Sequence, residues 1–201
     1  MGKNKTFCIC AALLCIAVLT ISCICGCGGL DNHSTVSQSD VSDTDVTPTD
    51  AIFVPEVHIE GIELPEEFGS GLYNAQAAFW LINEVRDREG LPPFETGDEA
   101  LEKAASTRLY EIAEDFSHTR PDGRDNKTAL EENDVKYLSC GENLAEGQYT
   151  AEQVVYDWLN SPTHREIILD SKFTHASIIC GSDQDGKGYW VLLAYEAEIE
   201  E

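Results

Sequence analysis

The sequence predicts an α+β fold, with helices packed on a small antiparallel sheet. Two observations carry this: apolar residues recur at helical spacing through the middle of the chain, and β-branched and aromatic runs replace them after residue 175. A third is that helices come first and strands last, without the strict alternation that builds a parallel sheet.

The elements follow in order. Lys3 and Lys5 precede an apolar run from Phe7 to Ile24, which has the charged and hydrophobic regions of a secretory signal. Its length would also suit a membrane span. Ile24-Cys25-Gly26-Cys27-Gly28-Gly29 then looks like a bacterial lipobox, with Cys27 as the lipidated residue and Cys23 as the alternative. Residues 31–49 are mostly Ser, Thr, Asp, Asn and Val without apolar period, a composition that cannot bury enough surface to offset ordering entropy. Residues 51–70 hold Ile52, Phe53, Val54, Val57 and Ile59 among interrupting Pro55, Pro65 and Gly69, and read as a partly ordered lead-in. The expected organisation is therefore a leader over 1–27, a tether and lead-in over 28–70 and a folded domain over 71–201.

Within that domain, Ala78, Leu81, Ile82 and Val85 predict an amphipathic helix from about Asn74 to Glu89, with Asn74 as N-cap and Gly90 as its stop. Leu91-Pro92-Pro93-Phe94 is an extended connector. Asp98 opens a second helix that buries Leu101, Ala104, Ala105, Leu109 and Ile112 and ends near Asp115. Phe116-Ser117-His118-Thr119-Arg120-Pro121-Asp122-Gly123-Arg124 follows, a dense polar segment whose Pro-Asp-Gly favours a tight turn. Residues 126–133 predict a short helix. Residues 138–145 read as a strand or loop through the middle of the domain. Thr150-Ala151-Glu152-Gln153 fits a capping box. Its helix carries Val154, Val155 and Trp158 on one stripe, so Trp158 is a core residue first and a cleft wall second. Ser161-Pro162 restarts helix with the serine as cap and the proline at the first position, which places His164 near a helix N-terminus. His175–Cys180 and Tyr189–Tyr195 form a hairpin around the Asp183-Gln184-Asp185-Gly186 turn.

A net charge of -24, from 37 acidic against 13 basic residues, excludes nucleic acid and anionic headgroups as electrostatic partners. Six of the eight cysteines fall in the leader, leaving Cys140 and Cys180. In an exported domain they read as a disulfide pair, with two buried thiols as the alternative.

Hydrolase and nucleotide signatures are absent: there is no Gly-x-Ser-x-Gly elbow, His-Glu-x-x-His helix or glycine-rich phosphate loop. Asp183-x-Asp185-Gly186 lacks the distal glutamate of a calcium loop. What remains is His118, Glu142 and His164. Two imidazoles and a carboxylate can hold zinc or do acid–base work; equally, His118 and Glu142 can hydrogen-bond simply to hold a loop. Arg120 and Arg124 have carboxylates in abundance to pair with.

The motifs Phe116-Ser117-His118-Thr119-Arg120-Pro121-Asp122-Gly123, Cys140-Gly141-Glu142-Asn143-Leu144 and Trp158-Leu159-Asn160-Ser161-Pro162-Thr163-His164-Arg165 together resemble the CAP superfamily. That superfamily comprises the cysteine-rich secretory, antigen 5 and pathogenesis-related proteins, and the likeness is to its compact bacterial SCP-like branch. The resemblance spans about Asn74 to Tyr195. It implies an α-β-α sandwich with a His-Glu-Glu-His cleft that sometimes holds zinc or another divalent ion. His118, Glu142 and His164 match three of the four positions, while Ser161 stands where the second glutamate belongs and Glu166 falls off the motif. Binding of a small ligand or cation without turnover is the expected function, and a metal-assisted hydrolase of peptide or cell-envelope material is the alternative. The expected partners are the membrane, through a lipid anchor, and an unknown small ligand, lipid or extracellular protein.

Overall fold

The computed structural model describes residues 8–9, 56–69 and 71–198. The lipidation candidates Cys27 and Cys23, the tether over 31–49 and the apolar residues Ile52, Phe53 and Val54 lie outside the described residues. Of the leader only the two-residue strand β1 (Cys8–Ile9) is described.

Each long helix begins where a side chain can satisfy its first amides. Asn74 accepts from the amide of Ala77 at the start of α1 (Ala75–Arg88), and Asp98 from Leu101 at the start of α2 (Glu99–Glu114). The short strand β2 (Glu95–Thr96) lies between them. The short helix α3 (Thr128–Glu132) follows the polar loop. Thr150 and Gln153 form the full reciprocal capping box at α4 (Ala151–Asn160). Ser161 ends α4 and begins α5 (Pro162–Leu169) with Pro162 in the first turn. Its hydroxyl caps no backbone amide, lying instead 3.4 Å from Thr163 Oγ1.

The predicted hairpin is β4 (His175–Ser182) and β5 (Gly188–Ala197), paired from His175↔Tyr195 to Ser182↔Gly188. The segment left open between strand and loop is a ten-residue strand, β3 (Tyr137–Glu146), antiparallel to β5. It runs along the edge of the sheet rather than through its middle. The order is β1-β4-β5-β3, with β2 parallel to β4 at Glu95↔His175. β5 is thus the central strand, and it alternates accordingly. Trp190, Leu192 and Ala194 pack on one face against Leu81, Ile82, Val154, Trp158 and Ile168 of α1, α4 and α5. Tyr189, Val191, Leu193 and Tyr195 pack on the other against Leu101, Leu109, Ile112 and Leu130 of α2 and α3. This is the α-β-α sandwich. Trp158 is core: it is buried and donates Nε1 to the carbonyl of Leu144. The lead-in closes a bridge at Ile59↔Ile62 and packs Ile59, Leu64 and Phe68 onto the α1 side.

One prediction is overturned. No disulfide joins Cys140 and Cys180. Cys140 sits opposite Tyr195 and Cys180 opposite Trp190, on strands that flank β5 from opposite sides. Five strand residues alone amount to about 16 Å, against a bridgeable Cα separation of at most about 7 Å. The side chains also face different layers: Cys180 donates its thiol to the carbonyl of Tyr73 in the α1 layer, and Cys140 packs in the α2 layer.

Candidate functional site

The site forms where the loop after α2 and the first turn of α5 meet the edge strand. β3 presents Glu142 to the α2 layer and its neighbour Asn143 to the α5 layer, because successive strand residues point to opposite faces. Gly141 permits this close approach: a Cβ there would lie 3.1 Å from side-chain atoms of both Ile167 and Phe173.

Glu142 is buried and surrounded by donors. Its Oε2 accepts from Arg108 Nε at 2.7 Å. Its Oε1 accepts from His118 Nδ1 at 2.8 Å, from Asn126 Nδ2 at 2.9 Å and, more distantly, from Arg108 Nη2 at 3.3 Å. Burial pushes its pKa up, but the bonds from His118, Arg108 and Asn126 outweigh it and hold the carboxyl below the usual range. Glu142 is therefore an ionised acceptor for a hydrogen bond from the Nδ1–H of His118. The ring's Nε2 takes no part in that bond, and the His118 side chain is 57% exposed.

The loop that carries His118 is held at several points. Arg108 donates Nη2 to the carbonyl of Ser117 at 2.7 Å, and Ser117 Oγ accepts from the amide of Thr119 at 3.0 Å. The Pro-Asp-Gly turn closes with the amide of Gly123 donating to the Arg120 carbonyl at 2.8 Å, and Gly123, at a φ of +84°, brings the chain back so that the Arg120 amide donates to the Arg124 carbonyl at 2.9 Å. Arg120 is buried, with Nη2 and Nε on Glu111 and Nη1 on Glu132 at 2.8 Å and Thr128 Oγ1 at 2.9 Å. Arg124 is exposed and pairs with Asp122 and Glu132. The arginines do find carboxylates, as expected, although only Arg124 does so in solvent.

His164 lies in the first turn of α5 on the far side of β3, its carbonyl accepting from Asn143 Nδ2 at 3.0 Å. Burial, and then the proximity of His118, lowers the pKa of its imidazole, so the neutral ring is favoured. His118 and Glu142 thus meet directly, while His164 shares no hydrogen bond with either and is near enough to His118 for its pKa to be affected. Glu142 has its oxygens engaged by donors, including a guanidinium, and does not fit as a metal ligand. Among the described residues no three His, Cys, Asp or Glu side chains form a group that could hold a metal ion. Two imidazoles, of which that of His164 favours its neutral form, do fit zinc in donor chemistry. No second carboxylate replaces the absent glutamate: Ser161 turns to Thr163 and Glu166 is exposed.

Sequence reasoning missed Arg108 and Asn126. Arg108 interrupts the apolar stripe of α2 between Ala105 and Leu109, and a charged residue on a buried face is the available signal. Asn126 carries no comparable mark.

Comparisons with known proteins agree with this architecture. The model of the cysteine-rich secretory protein family, CAP, matches residues 79–195. Over 100 residues the chain is 35% identical to the uncharacterized protein YkwD of Bacillus subtilis (strain 168) and 32% identical to its uncharacterized membrane protein YlbC. These alignments cover 49% of this chain but only 38% and 29% of those proteins. An outer surface protein of Borrelia burgdorferi superposes with a TM-score of 0.56 at 25% identity, over 61% of this chain and 92% of that one. A cysteine-rich secretory protein of Staphylococcus aureus subsp. aureus Mu50 gives 0.52 at 25%, over 61% and 38%. An extracellular SCP-domain protein of Bacillus anthracis str. Ames shares the fold, with a TM-score of 0.54 at 23% identity over 61% and 40%.

Proposed function

Because the chain belongs to the cysteine-rich secretory protein family, we propose that it is an extracellular, lipid-anchored CAP protein whose cleft binds a divalent cation or small ligand at His118 and His164 without turning it over. The observation that carries this reading is the 2.8 Å bond from His118 Nδ1 to Glu142, which orients the ring and leaves Nε2, on a half-exposed side chain, as the nitrogen available to a ligand. His164, favoured in its neutral form, supplies a second imidazole. A carboxylate behind a ligating histidine is the usual outer support of a metal site, fixing ring and tautomer. Glu142 has that role here instead of ligation. A cation bound by two imidazoles keeps positions open for a small ligand.

A metal-assisted hydrolase has less support. Its prospective general base would be Glu142, and a buried carboxylate held ionised by Arg108, His118 and Asn126 is a poor proton acceptor. The extracellular placement is supported by the outer-surface and extracellular descriptions of similar structures and by the leader sequence with Cys27. No helix among the described residues is long and apolar enough to cross a membrane.

Calorimetric titration of the full-length chain with zinc tests the cleft, beside His118→Ala and His164→Ala. Binding in the wild type that is lost in both variants is expected. Equal weak binding in all three would sink the reading.

A further inference from the structure

We propose that Arg108, which no sequence motif singled out, is the positioning residue of this cleft, fixing His118 through its ring and its backbone at once. The proposal rests on His118 being a functional group of the site, and it concerns how that group is held.

Arg108 sits in α2, fully buried at 0% exposure. One edge of its guanidinium faces Glu142, with Nε at 2.7 Å from Oε2 and Nη2 at 3.3 Å from Oε1. Nη2 also reaches the carbonyl of Ser117 at 2.7 Å, the residue immediately before His118. Nη1 is taken by Glu111, which in turn binds Arg120 in the same loop. The carboxylate that accepts the His118 Nδ1–H hydrogen bond and the peptide that carries His118 are therefore pinned to a single rigid group. A guanidinium can do this because it is planar and offers N–H groups in several fixed directions, whereas an ammonium is a compact point charge on a flexible stem.

The consequence is a defined tautomer. With Glu142 kept ionised and immobile, His118 carries its proton on Nδ1 and presents Nε2 outward. Without Arg108, Glu142 would lose its Oε2 partner and the loop would lose its hold at Ser117. The ring would then have neither a fixed acceptor nor a fixed position.

Nitrogen-15 NMR of the histidine side chains in the full-length chain tests this without any ligand, with His118 assigned by its disappearance in His118→Gln. In the wild type above the histidine titration range, Nδ1 should resonate as a protonated nitrogen and Nε2 as an unprotonated one. In Arg108→Met that asymmetry should collapse towards a tautomer mixture, while the His175 signals and the far-ultraviolet circular dichroism stay unchanged. Arg108→Lys retains the buried charge and should show the same loss; it decides the matter where Arg108→Met does not fold. A His118 that keeps its Nδ1 proton in a folded Arg108 variant overturns the proposal, as does a tautomer mixture in the wild type. Failure of zinc binding leaves these readouts unaffected, so the two readings fail separately.

Discussion

Glu142 and Asn143 stand side by side on β3 and point to opposite faces of the sheet, so that one holds the ring of His118 and the other the backbone of His164. The edge strand is thus the shared ruler between two histidines that come from different layers. A change at Asn143 should disturb one histidine and spare the other. Asn143 Nδ2 donates to His164, but its Oδ1 is buried without a protein partner. Asn143→Leu therefore loses one hydrogen bond, worth about 0.5–1.5 kcal/mol, and removes an acceptor whose burial costs about 1–3 kcal/mol. Urea denaturation should place the variant within about 1 kcal/mol of wild type. Zinc affinity should nevertheless fall, and a variant that binds as wild type would show that Asn143 does not help place His164.

Cysteine chemistry gives a second test. Cys140 and Cys180 lie on opposite layers and too far apart along β5 to bond. A tryptic map of the oxidised protein under non-reducing conditions should contain no peptide linking the two. Replacing Cys140 by serine should leave the unfolding temperature equally insensitive to reductant. A Cys140–Cys180 peptide would refute the pairing of β3 and β4 with β5 as described.

Much of this was legible from local signals, because caps and periods act within a few residues. Asn74, Asp98 and Thr150 cap as their sequence contexts predict, and the β4–β5 hairpin falls where the period changes. The chemistry of the Glu142–His118 pair was anticipated as one option among three. What could not be read was strand order. Spacing does not say that β5 lies between β3 and β4, and the disulfide expectation failed for that reason. Arg108 was hidden because its meaning depends on Glu142, 34 residues away.

Arg86 has the same hidden character on the other layer. It is buried, and among the described residues its donors go to carbonyls: Pro92 at 2.9 Å, Ile168 at 2.7 Å, Asp170 at 3.2 Å and Phe173 at 3.1 Å. Its guanidinium also lies 3.8 Å from the ring centroid of Phe94. It ties α1 to the end of α5 and the approach to β4. Arg86→Ala should cost about 3 kcal/mol in chemical denaturation, since it leaves buried carbonyls unsatisfied. Arg86→Lys should recover only part of this, because one ammonium cannot span the same carbonyls. Full recovery by lysine would mean that charge alone is what these carbonyls need.

Stability should fall with acid in two steps that belong to different residues. The imidazole of His164 titrates below its ordinary value in the folded protein. Between that value and the unfolded one, about 6.5, the unfolded chain binds a proton that the folded protein lacks. Stability is therefore complete above about pH 6.5 and declines as pH falls below it. Glu142 is also held low, so its contribution is complete above the unfolded carboxylate value of about 4.3 and is lost as pH falls through the lower folded value. Urea midpoints taken from pH 8 to pH 3 with chelator present should resolve both limbs. His164→Asn should flatten the first and leave the second. Glu142→Gln should flatten the second, and should cost about 3 kcal/mol at neutral pH because it leaves the buried Arg108 guanidinium with the Glu111 carboxylate but not that of Glu142. A Glu142→Gln protein as stable as wild type at pH 7 would mean that Glu111 alone suffices for the Arg108 charge, and the arrangement that aims His118 would then rest on something other than the Arg108–Glu142 ion pair.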